Sequence, residues 1–153
     1  MTGTPATPAS RVDSAIASVE GELSTLFNRV RAAMRSAAER LHPELSTPGY
    51  KTLSALERKG PMHSGALAEL LEMDRSALSR QITALDRLGL LVRRPDPADG
   101  RATILSLTDD AAERLRAVRS GSQAQMHEEL RRWSPQEIEL FAGLLHRINA
   151  LDI

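Results

Sequence analysis

The chain has 153 residues, 41% of them hydrophobic and 3% aromatic, which suits one domain or one compact protomer with a core of Leu, Ala, Ile, Val and Met. Its 20 basic residues balance its 20 acidic ones, so overall charge points to no partner; the absence of cysteine removes disulfides, thiolate catalysis, thiol redox sensing and cysteine-rich zinc sites together. No apolar run approaches the ~20 residues that span a bilayer, and the opening "MTGTPATPAS" lacks the basic start and apolar stretch of a secretion signal, so residues 1 to 10 read as a disordered tail on a cytoplasmic protein without a membrane partner.

From about Asp13 to Arg40, apolar residues fall at Ile16, Val19, Leu23, Leu26, Phe27, Val30, Met34 and Ala37. Steps of three and four mark one face of a long helix, with more apolar stripe than a small domain easily covers alone. "HPELSTP" breaks the pattern. Ser46 or Thr47 is placed to cap a second helix, with Pro48 in its first turn and Tyr50, Leu53 and Leu56 on its apolar face. That helix stops at Gly60-Pro61. Ser64 is expected to cap a short third helix, "GALAELLEM", and a tight turn leads into a fourth, "RSALSRQITALDRLG". Two strands follow, "LLVRR" and "ATILSL", joined by "PDPADG", whose Asp-Gly is a hairpin signal. Pro95 and Pro97 suit its loop. A fifth helix starts at Thr108 and runs to about Arg132, with Gly121 as its weak point. Trp133 is expected to anchor core between helices. Ser134 and Glu137 form a capping box for a last helix carrying Ile138, Phe141, Leu144, Leu145 and Ile148.

Two short helices followed by a hairpin is the order of a winged helix-turn-helix. At ~100° per residue, Leu78, Ile82 and Leu85 share one face of the fourth helix, while Ser76, Ser79, Arg80, Thr83 and Arg87 fall on the opposite one. Hydroxyls flanking an Arg suit a helix laid in a major groove, where Arg grips guanine through two hydrogen bonds; an ordinary solvated face carries the same residue types. Arg93 and Arg94 enter the hairpin and Arg101 leaves it. Between residues 73 and 101, six Arg, Arg75 among them, meet four Asp, an excess of +2 in a neutral chain. Eighteen of the 20 basic residues are Arg, whose planar fork matches phosphate and guanine edges; a GC-rich genome produces the same bias. A hairpin tip rich in Arg fits the narrow minor groove beside a recognition helix.

These segments resemble the MarR (multiple antibiotic resistance regulator) family. Its wing signature, Asp-x-Arg then a strand ending in Leu-Thr, stands here as Asp99-Gly100-Arg101, "ATILS" and Leu107-Thr108. "MHSGALAELLEMDRSALSRQITALDRLGLL" is similar to the family's helix-turn-helix, and "STPGYKTLSALERKGPM" to the helix before it, although Gly49-Tyr50 replaces the bulkier residues often found there. The resemblance implies a mainly α fold with a small β-hairpin wing: a winged helix-turn-helix domain at residues 46 to 108, framed by a helical dimerisation region at residues 11 to 45 and 109 to 153. It implies a homodimer, with Ile16, Val19, Leu23, Phe141, Leu144, Leu145 and Ile148 interlocking between subunits, bound to a pseudo-palindromic double-stranded operator. Arg101 and Arg94 would contact DNA from the wing, Asp99 would brace Arg101, and Ser64, at a helix N-terminus, would place a backbone phosphate.

Other readings compete. No Gly-x-Ser-x-Gly, phosphate loop or HExxH supports an enzyme, and no cofactor is expected. His42, His63, His127 and His146 are scattered; two could meet Glu44 or Glu128 across a dimer to hold zinc, which would make a metal-responsive regulator, though histidines of this kind are more often plain surface residues, and no metal site is assigned. A helical interaction module without DNA binding would use the hairpin only to protect an edge. Family members often bind small phenolic or lipophilic effectors, and Phe27, Met34, Leu45 and Tyr50 would line such a pocket or belong to the core.

Overall fold

The computed structural model describes residues 8–99 and 102–151. Among these residues six helices and three strands follow in the order α1 (Pro8–Leu41), α2 (Thr47–Lys59), β1 (Met62–His63), α3 (Ser64–Leu70), α4 (Arg75–Arg87), β2 (Leu91–Pro95), β3 (Thr103–Leu107), α5 (Asp109–Leu130) and α6 (Pro135–Asn149). The fold is mainly α with a small antiparallel sheet. Residues 1 to 7 of the expected tail lie outside the described residues. The rest of that tail does not hold as expected: Pro8, Ala9 and Ser10 open α1, since Pro at a first turn has its φ already set for helix.

Local chemistry fixes the element ends. Ser46 caps α2 by accepting from Gly49 N at 3.1 Å, and Gly60 ends it at φ 82°. Gly49 also lets α2 approach α4, since a Cβ there would meet Leu45 Cδ1 at 2.8 Å and Leu85 Cδ2 at 3.3 Å. Between α3 and α4 the chain turns through Glu72, in the left-handed region at φ 52°, and Met73 N donates to Ala68 O at 3.0 Å. Thr108 caps α5 and also donates to Gly89 O at 3.0 Å, closing the base of the hairpin. The capping box at α6 forms as expected: Ser134 N donates to Glu137 Oε2 at 2.8 Å and Glu137 N to Ser134 Oγ at 3.3 Å. Gly121 does not interrupt α5, which runs through it.

The sheet holds a strand that sequence periodicity missed. β1 pairs with β3 through Met62↔Leu105 and His63↔Ile104, giving the order β1-β3-β2. The helix cap therefore moves. His63 is still extended, so it occupies the N-cap of α3, and Ser64 is the first helical residue rather than the cap. Pro95 pairs with Thr103 at the end of β2 instead of lying in the loop, which an edge strand tolerates because its outer N–H positions need no ladder partner.

One core joins α2, α3, α4 and the sheet to the end of α1 and the first half of α5. Leu41, Leu53, Leu67, Leu78, Leu85, Leu90, Leu91, Leu105 and Leu115 are essentially inaccessible; each such Leu stabilises by roughly 1.5–3 kcal/mol. Leu45 and Tyr50 are buried in it as well. The far helices differ. α6 has no buried residue, and α1 exposes Val12, Ile16, Val19, Leu26 and Phe27 ahead of its buried end. Trp133 meets Phe141 edge-on at 5.5 Å yet stays 43% exposed, so it does not anchor core within the single chain. Among the described residues no helix is long and apolar enough to cross a membrane.

Candidate DNA interface

The buried residues Leu78, Ile82 and Leu85 set the rotation of α4, and that rotation turns Arg75, Ser76, Ser79, Arg80, Thr83 and Arg87 to solvent. Hydrogen bonds then separate these residues. Asp74 caps α4: its Oδ1 accepts from Ala77 N at 2.7 Å and from Ser76 Oγ at 2.6 Å. The Ser76 hydroxyl proton is thereby committed within the chain. Thr83 Oγ1 donates to Ser79 O at 3.0 Å and accepts from Arg93 Nη2 at 3.0 Å, so its proton is committed too. Gln81 faces α2, donating to Pro48 O at 2.6 Å and to Thr52 Oγ1. Arg87 lies 3.9 Å from Glu44 in a loose, exposed pair. The side chains of Arg75, Ser79 and Arg80 enter no hydrogen bond or ion pair among the described residues.

The hydrogen bonds to Ser76 and then to Ala77 hold the Asp74 carboxyl below its ordinary value of 3.8. A carboxyl whose folded value is depressed stabilises the fold above its unfolded value and loses that contribution as pH falls through the folded one. Asp74→Asn, which still accepts at the cap but does not ionise, should remove this part of the acid sensitivity of α4. Urea midpoints of both proteins at pH 7 and pH 3 check it; an equal acid-induced drop in the two would contradict the assignment.

The wing divides its arginines. Strand alternation sends Arg93 and Arg94 to opposite faces. Arg93 turns back on α4, its Nε 3.1 Å from Asp86 Oδ2, whereas the Arg94 side chain is exposed and enters no hydrogen bond or ion pair among the described residues. Gly100 and Arg101 lie outside the described residues. The start of the loop is organised by Asp96, a residue the sequence reading passed over: its Oδ1 accepts from Ala98 N at 2.8 Å and its Oδ2 lies 3.1 Å from His63 Nε2. Asp96 N donates to Ala102 O at 2.9 Å and Ala102 N to Asp99 O at 2.8 Å. Where α3, α4 and the wing meet, a cleft of about 350 Å³ brings Ser64, Arg75 and Ser79 together with Arg93 and Thr103.

Two further cavities lie away from this face. One, of about 440 Å³ between α1, α2 and α5, is lined by Met34 and Tyr50 with Val30, Lys51, Ser54, Leu71 and Arg119. Leu45 is not in its lining, because it is buried beneath α2, and Phe27 stands 56% exposed on α1, off the cavity. The Ser54 hydroxyl is buried with no hydrogen-bond partner among the described residues, and Arg119 is paired with Glu57. The other, of about 470 Å³, opens between α1 and α6 and gathers Val19, Leu23, Phe141, Leu144, Leu145 and Ile148; Ile16 lies outside it. Among the described residues no group of three His, Asp or Glu is placed to hold a metal ion; His42 accepts from Glu44 N through Nδ1 at 3.1 Å.

A short-turned helix pair with an outward arginine face, flanked by a basic hairpin, defines a winged helix-turn-helix, and the protein is a DNA-binding transcriptional regulator of that class. The comparisons give the family. The model of the MarR family matches residues 45–102. The chain is 34% identical over 131 residues to the HTH-type transcriptional regulator YxaD of Bacillus subtilis (strain 168), covering 86% of this chain and 90% of that one. It superposes on Streptococcus pneumoniae FabT, solved in complex with DNA, with a TM-score of 0.80 at 16% identity, over 88% of this chain and 94% of FabT. The PcaV regulator of Streptomyces coelicolor, solved with its natural ligand, gives a TM-score of 0.54 at 26% identity over 81% and 89% of the two chains. The chain belongs to the MarR family.

Proposed function

We propose that the protein is a homodimeric, ligand-responsive repressor that binds an inverted-repeat operator. The observation that carries the reading is the set of uncommitted donors on one face: Ser79 and Arg80 on α4, Arg75 at its start, and Arg94 on the neighbouring wing. With α4 in the major groove, Arg80 and Ser79 meet base edges. Arg75 and Ser64, at the shared cleft, meet the sugar-phosphate backbone, and Arg94 and Arg101 reach the adjacent minor groove. Asp99 is assigned to brace Arg101. Ser76 and Thr83 have their protons committed inside the chain, so they contribute by shaping the helix and as acceptors. FabT, solved with DNA on the same fold, supports a DNA-binding reading.

Arg80 is assigned sequence reading. Arg80→Ala should cost ~1–3 kcal/mol per half-site on the preferred operator and far less on random duplex. Fluorescence anisotropy on both duplexes decides; an equal loss on both would demote Arg80 to a phosphate clamp. A helical interaction module without DNA binding predicts no salt-dependent retention on random duplex by the wild type.

The cavity between α1, α2 and α5 is assigned to the effector. It is apolar at Val30, Met34 and the Tyr50 ring, carries Lys51 at its edge, and offers the Ser54 hydroxyl, which has no hydrogen-bond partner among the described residues. This suits a small lipophilic or phenolic molecule with one acidic or hydrogen-bonding oxygen. Leu71, beside the turn into α4, lines the same space, so filling it shifts the recognition helix. PcaV, solved with its natural ligand, supports a ligand-responsive reading. Simple phenolic acids should release the operator from the wild type at lower concentration than from Ser54→Leu, whose side chain occupies the cavity. Identical release curves would move the effector elsewhere.

A further inference from the structure

Asp86 poses a problem for a DNA-binding face. It is half exposed, it sits on the recognition helix, and its negative charge is turned toward a wing that is to approach a polyanion. Its partner is Arg93, and the geometry of that pair gives the charge a purpose. Arg93 Nε lies 3.1 Å from Asp86 Oδ2 while Nη2 donates to Thr83 Oγ1 at 3.0 Å. Positions 83 and 86 are one turn apart on one helix face, so the planar guanidinium spans both anchors, which a lysine ammonium with its point charge does not do in the same way. Thr83 passes the tie on to the Ser79 carbonyl at 3.0 Å. The pair contributes little to folding, because both side chains are more than a third exposed and exposed ion pairs are weak. What it does fix is spacing. The base of the hairpin is already held by buried Leu91 and by Thr108 on Gly89. Arg93 is two residues further out and is the outermost tie from β2 to α4 among the described residues.

We propose that Arg93 is a positioning residue: with Asp86 and Thr83 it sets the distance and tilt of the wing relative to the recognition helix, so that Arg94 and the wing tip reach the minor groove when α4 occupies the major groove. This rests on the DNA-binding reading above. It also separates two adjacent arginines that composition alone treats alike, one spent inside the chain and one left for DNA.

The test turns on the sign of the Asp86 effect. If Arg93 were a phosphate contact and Asp86 only a nearby charge, removing Asp86 would relieve repulsion and tighten DNA binding. As part of a clamp, its removal weakens binding. The full-length wild type, Arg93→Ala, Asp86→Ala and the double variant are compared on one duplex that the wild type has selected from a random pool. Each single variant should lose about tenfold in affinity, the scale of one base contact. The double variant should lose no more than either single one, since the two residues act as one unit. Hydroxyl-radical protection of the minor groove under the wing should fade in all three while major-groove protection under α4 remains. Melting temperatures should stay within about 3 °C of wild type, and Arg93→Lys should recover only part of the affinity. Asp86→Ala binding as tightly as wild type or tighter, or losses that add in the double variant, would overturn the clamp while leaving the DNA-binding reading intact. A wild type that selects no duplex would overturn the DNA-binding reading itself, and the clamp with it.

Discussion

Replacing Arg94 and Arg101 together by Ala leaves the protein folded and dimeric while its hold on the operator collapses. Arg94 is exposed on β2, its side chain in no hydrogen bond or ion pair among the described residues, so it is not needed for the core, and Arg101 carries the Asp-x-Arg wing signature. A dimer loses four wing contacts. At ~1 kcal/mol for each charge-assisted contact, affinity falls about a thousandfold. If all four are to phosphate, the slope of log K against log salt flattens by roughly 3.6, which is ~0.9 for each contact. Anisotropy across a salt series on one operator measures both. An unchanged affinity and slope in a folded double variant would mean that the hairpin is no wing.

The second large effect is expected far from DNA. Phe141 and Leu144 stand 42% and 44% exposed on a helix with no buried residue, beside a cleft shared with α1. A continuous apolar face of this kind is a contact surface, and a second copy of the chain covers it in the proposed dimer. Phe141→Asp with Leu144→Asp should leave the core between Ala37 and Leu115 folded and drop the light-scattering mass from about 33 kDa, for a two-fold dimer, to the chain mass of 16.7 kDa. Operator affinity should fall by ~10³ or more, toward the level of non-specific binding, because one half-site alone remains engaged. A folded wild-type monomer at low micromolar concentration would contradict the dimer and the inverted repeat together.

Much of this architecture was legible because its signals are local. Leu78, Ile82 and Leu85 fix the rotation of the recognition helix by spacing alone, and the Ser134–Glu137 capping box is a pattern of four residues. Asp-Gly between alternating segments placed the hairpin to within one residue. What stayed hidden depends on contacts distant in sequence. β1 is two residues long, too short for any periodicity, and exists because β3 offers it an edge; that pairing moves the cap of α3 from Ser64 to His63. The hydroxyls of Ser76 and Thr83 look like DNA donors in the sequence, yet Asp74 and Ser79 take their protons. Which of two adjacent arginines is internal follows from strand register, and register was not readable from "RRPDPADG". Leu45 looked equally suited to pocket and core because apolarity does not tell the two apart.

In the proposed function, a two-fold dimer presents two copies of α4 to one face of a duplex. Sequencing the duplexes that the purified full-length protein retains from a random pool, at ~0.15 M salt where non-specific binding is screened, tests it most directly. The expected result is one enriched inverted repeat with half-site centres about 10 base pairs apart, one helical turn. Retention without an enriched sequence, or enrichment of a single unrepeated half-site, would contradict it.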